Sequence, residues 1–299
     1  MVDHVSPLVG ADWLLANLKA PDLRVVDATW YLDGPNRAKT AKEEFDEAHI
    51  PDAVFFDIDI IKDGDTDLPH MLPSPVAFTS RVKKLGLGDG NRVVVYDRNR
   101  FMASARVWWM FRAMGVEDVY VLDGGLSAWT AAGGELTDDL TVPFERHFTP
   151  RVRADLIKDL GQMQRAINRG SHTVLDARPG GRFTGQAPEP REGLRSGHMP
   201  GARNVTAGDL VTEDGFLKAP DALARQVGSI ERPVITTCGS GVTASILALA
   251  LGVLGRDDVA VYDGSWSEWG ATEDCPVETG PGAAGPAIVG PTSTGHGGE

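Results

Sequence analysis

The chain has 299 residues, 42% of them hydrophobic and 24% charged, with 29 basic against 42 acidic side chains and a formal net charge of −13. This is the profile of a globular protein of about two domains, and its charge repels nucleic-acid phosphates and anionic lipid surfaces. Two cysteines are too few for a disulfide framework, no CxxC or CxxxH spacing offers a zinc site, and the longest apolar run, Ile246 to Leu254, is far short of the roughly 20 residues a membrane span requires.

The N-terminal stretch MVDHVSPLVGADWLL lacks the basic segment and apolar core of a secretory signal, so a reducing cytoplasm is the expected compartment. In the first half, LRVVDA, RVVVYD and VYVLD read as short buried strands, with FTSRVKKLG and SARVWWMFRAMG as helices. That alternation predicts a parallel sheet covered by helices. The second half repeats the first. VVDATW around Asp27 returns as VLDARP around Asp176, and HIPDA at His49 returns as HMPGA at His198, both 149 residues later. VEDVYVLDGGLSAW, ending at Trp129, returns 140 residues later as RDDVAVYDGSWSEW, ending at Trp269. The expected fold is therefore α/β, two similar domains in tandem, each a small parallel sheet flanked by helices. Their expected bounds are 1–140 and 154–279, joined by a proline-containing linker over 141–153. The Gly-, Pro-, Ser- and Thr-rich tail 280–299 buries too little apolar surface to offset its ordering entropy.

The repeat separates fold from chemistry. A residue present in both halves serves the fold, which removes His49 and His198, Asp27 and Asp176, Asp123 and Asp263, and Trp129 and Trp269 from the candidate site. Cys238 stands in one half only. At the 140-residue offset it faces Arg98, in a loop with neither the cysteine nor its glycines.

Pro233 to Gly255 reads as a short strand, then Cys238, a glycine-studded turn and an apolar helix. Gly239, Gly241 and Ala244 match G-x-G-x-x-A, and Asp263 follows at the distance of a ribose-binding acid. Only 36 residues remain after Asp263, too few to complete a nucleotide-binding half. A buried structural thiol suits Cys275, but Cys238 is flanked by residues that build an anion-binding turn. The amides of Gly239, Ser240, Gly241, Val242 and Thr243 form a nest before a helix, where peptide dipoles favour a thiolate over a thiol. Phosphatases and arsenate reductases with such a loop carry C-x5-R. Here the sixth residue after Cys238 is Ala244, and no Arg or Lys occurs before Arg256. Sulfur chemistry remains, with a persulfide held by amides alone.

CGSGVTA after a strand in the second of two similar domains resembles the 3-mercaptopyruvate sulfurtransferases of the rhodanese superfamily. The resemblance extends in order through EEFDEAHIPDA, FFDID, LPHMLP, RVWWMFRAMGV and LDGGLSAW, then DARPGGRF, EPREGLRSGHMPGARN and YDGSWSEWGA. It implies two tandem rhodanese-like domains, the second catalytic, with Cys238 as nucleophile. It also implies Ser240, His70 and Asp59 as a proton relay across the interdomain cleft, with Asp57 a competitor for the acid. Arg182 and Arg191 would hold the substrate carboxylate, and Gly239, Gly241, Val242 and Thr243 would complete the loop. No cofactor or metal is implied. The partners are a small-molecule sulfur donor and a thiol or cyanide acceptor, with thioredoxin fitting equally. The superfamily's thiosulfate enzymes carry C-R-K-G-V-T, so Gly239 and Ser240 favour mercaptopyruvate. The alternatives are a thiosulfate:cyanide enzyme of the same superfamily and a persulfide carrier with little turnover.

Overall fold

The computed structural model describes residues 6–32 and 36–283. The first half has strands β1 (Leu8–Val9), β2 (Leu23–Asp27), β3 (Val54–Phe55), β4 (Arg92–Tyr96) and β5 (Val119–Leu122). Among them lie helices α1 (Ala11–Asn17), α2 (Ala41–Glu47), α3 (Pro75–Lys84), α4 (Ser104–Ala113) and α5 (Gly125–Ala131). The second half has β6 (Ile157–Lys158), β7 (Thr173–Asp176), β8 (Arg203–Asn204), β9 (Val234–Thr237) and β10 (Val259–Tyr262), with α6 (Leu160–Arg169), α7 (Gly180–Phe183), α8 (Pro220–Val227), α9 (Ala244–Val253) and α10 (Ser265–Trp269).

Local chemistry sets the helix ends. Ser74 accepts the Ala77 N–H at 3.3 Å and Pro75 opens α3, where a missing N–H costs nothing. Asp159 and Gln162 close a capping box on α6, which ends at Gly170 in the left-handed region, φ +56°.

Both sheets are parallel throughout and share one topology, β1-β5-β4-β2-β3 and β6-β10-β9-β7-β8. The α/β fold in two similar halves is thus as the repeat predicts. The register refines one alignment. Tyr96 pairs with Asp27 and Thr237 with Asp176, so the residue that follows the strand is Asp97 in one half and Cys238 in the other. A constant offset pointed to Arg98 instead because the first loop is one residue longer, 97–103 against 238–243.

The halves meet through α4 and α9. Residues Ala244–Leu251 of α9 are all buried, which explains the apolar run: a helix apolar on every side needs neighbours on every side. Side chains of α4 and α9 share one buried cluster that runs through both halves. Two reciprocal bonds clasp the domains. Asp123 accepts the Leu217 N–H at 2.9 Å, and Asp263 accepts the Leu72 N–H at 2.6 Å. The repeated histidines are structural. His49 Nδ1 bonds the Phe45 carbonyl at 2.7 Å and His198 Nδ1 the Phe183 carbonyl at 2.9 Å, each ring stacked on that phenyl.

Residues 141–153 carry no helix or strand and run along the first half, with backbone bonds from Arg151 to Met114 and from Arg153 to Ala113, both 2.8 Å. At the far end the chain stays hydrogen-bonded through Gly280 to Thr184 and Ala283 to Ala202. The rest of the tail, 284–299, lies outside the described residues. Among the described residues no helix is long and apolar enough to cross a membrane.

Candidate active site

Cys238 follows β9 directly and is nearly buried, at 2% exposure. Its loop is held from behind by α10. The Trp266 N–H donates to the Cys238 carbonyl at 3.0 Å, and the Ser267 N–H and hydroxyl both donate to the Gly239 carbonyl, at 2.9 and 2.7 Å. Ser265 Oγ accepts the Cys238 N–H at 3.2 Å and donates to the Tyr262 carbonyl at 2.8 Å. Ser265 does this from the left-handed region, φ +51°, where the first half has Gly125 at φ +55°. A side chain there costs about 1–3 kcal/mol of backbone strain, and only the half with the cysteine bears it.

With these carbonyls engaged, the amides are left open. Among the described residues no protein acceptor takes the backbone N–H of Gly239, Ser240, Gly241, Val242 or Thr243. Gly241 turns the loop at φ +77°, and a β-carbon there would stand 2.8 Å from the Asp263 carbonyl oxygen. The first half shows what such a loop does with a resident anion. The Asp97 carboxylate accepts four backbone N–H groups, from Asn99 (3.2 Å), Phe101 (3.1 Å), Ala103 (3.2 Å) and Ser104 (2.9 Å). One loop is filled by its own carboxylate; the other begins with a thiol and leaves its amides without a protein acceptor among the described residues.

His70 and Asp59 come together from the first half. His70 Nε2 and Asp59 Oδ1 are 2.8 Å apart, and Trp30 Nε1 donates to Asp59 Oδ2 at 2.8 Å. The Trp30 ring meets the His70 ring edge-on, with centroids 4.9 Å apart. The hydrogen bond from His70 holds the Asp59 carboxyl below the usual carboxylate range against its partial burial, with help from Trp30. The stabilisation from that bond is therefore present above the ordinary carboxylate value, about 3.9, and fades as pH falls through the depressed one. Asp57 is not the carboxylate that His70 bonds: it accepts the Asp59 N–H at 2.8 Å, and burial raises its carboxyl. With Nε2 on Asp59, His70 Nδ1 is buried and has no partner among the described residues. The His70 backbone sits at φ +59°, a second strained residue.

Arg182, on α7, and Arg191, in the loop beyond it, converge on the cysteine loop. A β-carbon on Gly239 would stand 3.1 Å from Arg182 Nη2 and 3.8 Å from Arg191 Nη1. Glu189 holds Arg182 in place, accepting from its Nε at 3.1 Å, and also accepts from buried Arg178 Nη1 at 2.8 Å. Arg178 in turn chelates Asp176 and lies over the Trp266 ring, 4.1 Å from its centroid. Arg191 has no carboxylate partner among the described residues. Ser240 is buried beside Cys238, and among the described residues no hydrogen bond joins its hydroxyl to His70.

Several supporting residues escaped the sequence reading. Trp30 bonds Asp59 and Glu189 bonds Arg182, while Arg178 supports Glu189. Ser265 left a signal: the same repeat comparison that isolates Cys238 shows a serine where the first half has Gly125, although its role shows only in its contacts.

The profile of the rhodanese-like domain matches residues 10–132 and 159–272. A 3-mercaptopyruvate sulfurtransferase of Escherichia coli K12 is 40% identical over 275 residues, covering 90% of this chain and 97% of the relative. A thiosulfate sulfurtransferase of Gallus gallus is 39% identical over 272 residues, covering 88% and 92%. The crystal structure of SseA from Escherichia coli, described as a 3-mercaptopyruvate sulfotransferase of rhodanese fold, superposes with a TM-score of 0.79 at 36% identity, covering 88% of this chain and 99% of that one.

Proposed function

This chain belongs to the rhodanese-like family as a two-domain sulfurtransferase, and from that premise we propose that Cys238 takes sulfur from 3-mercaptopyruvate and passes it to a thiol or cyanide. The observation that carries the reading is a cysteine that opens a loop whose amides, from Gly239 through Thr243, have no protein acceptor among the described residues, with Arg182 and Arg191 converging on the adjacent Gly239. The domains are read as 1–140 and 154–279, joined by 141–153.

The Cys238 thiolate attacks the donor sulfur, forming an S–S bond while the C–S bond breaks and its electron pair passes to the carbon as the enolate of pyruvate. Arg182 and Arg191 hold the donor carboxylate, a task suited to planar guanidinium forks. The donor's own S–H proton balances the step. His70 Nδ1 receives it through the Ser240 hydroxyl and returns it to the enolate carbon, while Asp59 and Trp30 keep the ring oriented. The amides of Gly239 through Thr243 stabilise the charge on the resulting persulfide. The acceptor then attacks the outer sulfur, and the Cys238 thiolate leaves. Cyanide, a small thiol and a reduced dithiol protein such as thioredoxin all satisfy this second step, and a reducing compartment such as the cytoplasm keeps the thiol available.

Gly239 supports mercaptopyruvate over thiosulfate. A side chain there meets Arg182 at once, whereas a glycine leaves that space to a donor larger than thiosulfate. With cyanide as common acceptor, kcat/KM for pyruvate release is expected to exceed that for sulfite release from thiosulfate at least about tenfold, about 1.4 kcal/mol at the transition state. A thiosulfate preference reassigns the donor and leaves the persulfide chemistry standing. Arg191→Ala is expected to raise KM for mercaptopyruvate with little change in kcat, since it removes carboxylate binding common to ground and transition states. An unchanged KM removes Arg191 from the carboxylate site.

A further inference from the structure

Arg106 is a fully buried cation in the middle of α4, and the reading above gives it no role. Its guanidinium reaches three separate pieces of the site. Nη2 donates to the backbone carbonyl of His70, and Nη1 donates to Asp263 Oδ1 at 2.6 Å, with the Gly241 carbonyl at 3.5 Å. The plane lies over the Trp109 ring, 4.5 Å from its centroid. One side chain of the first domain thus fixes the backbone of its own histidine, the turning glycine of the cysteine loop, and the aspartate that clasps Leu72.

The repeat argues that this is more than domain adhesion. The two halves clasp each other by the reciprocal pairs Asp123–Leu217 and Asp263–Leu72, yet only the second is crossed by an arginine. The α9 counterpart of Arg106 is Ile246, buried and apolar. Burying an ion pair contributes little net stability compared with apolar packing, so its value lies in the geometry it enforces. Arg106 joins the segment that carries His70 to the loop that carries Cys238, and both residues whose carbonyls it engages, His70 and Gly241, are in the left-handed region.

We propose that Arg106 is a positioning residue that sets the His70 imidazole against the Cys238 loop by tying the backbones of both to one buried guanidinium. The inference rests on His70 acting in the proton transfer described above. Lysine keeps the charge facing Asp263, but a single ammonium cannot span Asp263 and the His70 carbonyl together as the fork does.

The test is a double-mutant cycle on pyruvate formation from mercaptopyruvate, with rates expressed per alkylatable Cys238 thiol and the melting temperature recorded for each protein. Arg106→Lys is expected to lower kcat by tenfold or more with KM nearly unchanged. In the His70→Ala background it is expected to have no further effect, because the group it positions is gone. Should Arg106→Lys fold poorly, Asp263→Asn keeps an acceptor for the Leu72 N–H while loosening the guanidinium, and the same non-additivity is expected. If Arg106→Lys lowers the melting temperature but leaves kcat per thiol unchanged, or if its effect adds in full to that of His70→Ala, Arg106 is only a structural cross-link and the proposal fails. If His70→Ala alone keeps full kcat, the role of His70 fails first, and the positioning role falls with it.

Discussion

Cys238→Ser is expected to abolish sulfur transfer from both mercaptopyruvate and thiosulfate, by a factor on the order of 10⁴ or more in kcat. A serine hydroxyl fits the same loop and preserves the bonds from Ser265, Trp266 and Ser267, all of which act on the backbone of residues 238 and 239. Folding is therefore expected to be unchanged, and the loss is chemical: an alkoxide does not form in this site at neutral pH, and no persulfide can be built on oxygen. The other thiol cannot substitute. Cys275 lies in a different buried cluster, packed with Trp269 and Phe183, where its Sγ accepts from Gln164 Nε2 at 3.4 Å. Rates of pyruvate and sulfite release, with melting temperature as the control, check this; residual turnover above about one per cent would mean a second nucleophile.

His70→Ala is expected to separate the two donors. Mercaptopyruvate leaves as an enolate that must be protonated on carbon, and general acid–base assistance of that kind contributes about 10²- to 10⁴-fold. Thiosulfate leaves as sulfite, a stable anion that needs no proton. Removing the imidazole should therefore lower kcat for pyruvate release by a factor in that range while sulfite release changes by less than about tenfold. Asp59→Asn should fall between wild type and His70→Ala, because Trp30 still packs on the ring and only the anchor on Nε2 is weakened. Equal losses with both donors would mean that His70 serves the fold of the cleft rather than the proton.

Much of the fold was legible because both halves carry the same buried strands at the same intervals, and one half predicts the other. Cys238 was legible for the opposite reason: it breaks the repeat. The same comparison singles out Ser265 against Gly125 and Arg106 against Ile246, but these differences look like ordinary drift until a structure shows what the side chains touch. The repeated aspartates Asp123 and Asp263 read as fold residues and are so, although their work is to clasp the opposite domain. Trp30 and Glu189 stand in quoted stretches, but their roles were not legible. Each acts through a tertiary contact, Trp30 on Asp59 and Glu189 on Arg178 and Arg182, and nothing in local spacing encodes such a meeting. The alignment of Cys238 with Arg98 rather than Asp97 comes from one extra residue in the first-half loop, which a constant offset cannot register.

The most direct measurement is a single turnover with mercaptopyruvate in the absence of any acceptor, followed by mass spectrometry of the intact chain and of the peptide containing Cys238. The expected result is a burst of one pyruvate per chain and one added sulfur atom on Cys238, removed when cyanide is supplied, with Cys275 unmodified. Pyruvate release without sulfur on Cys238, or sulfur on Cys275 alone, would contradict the persulfide account and return the Cys238 loop to the status of an unexplained turn.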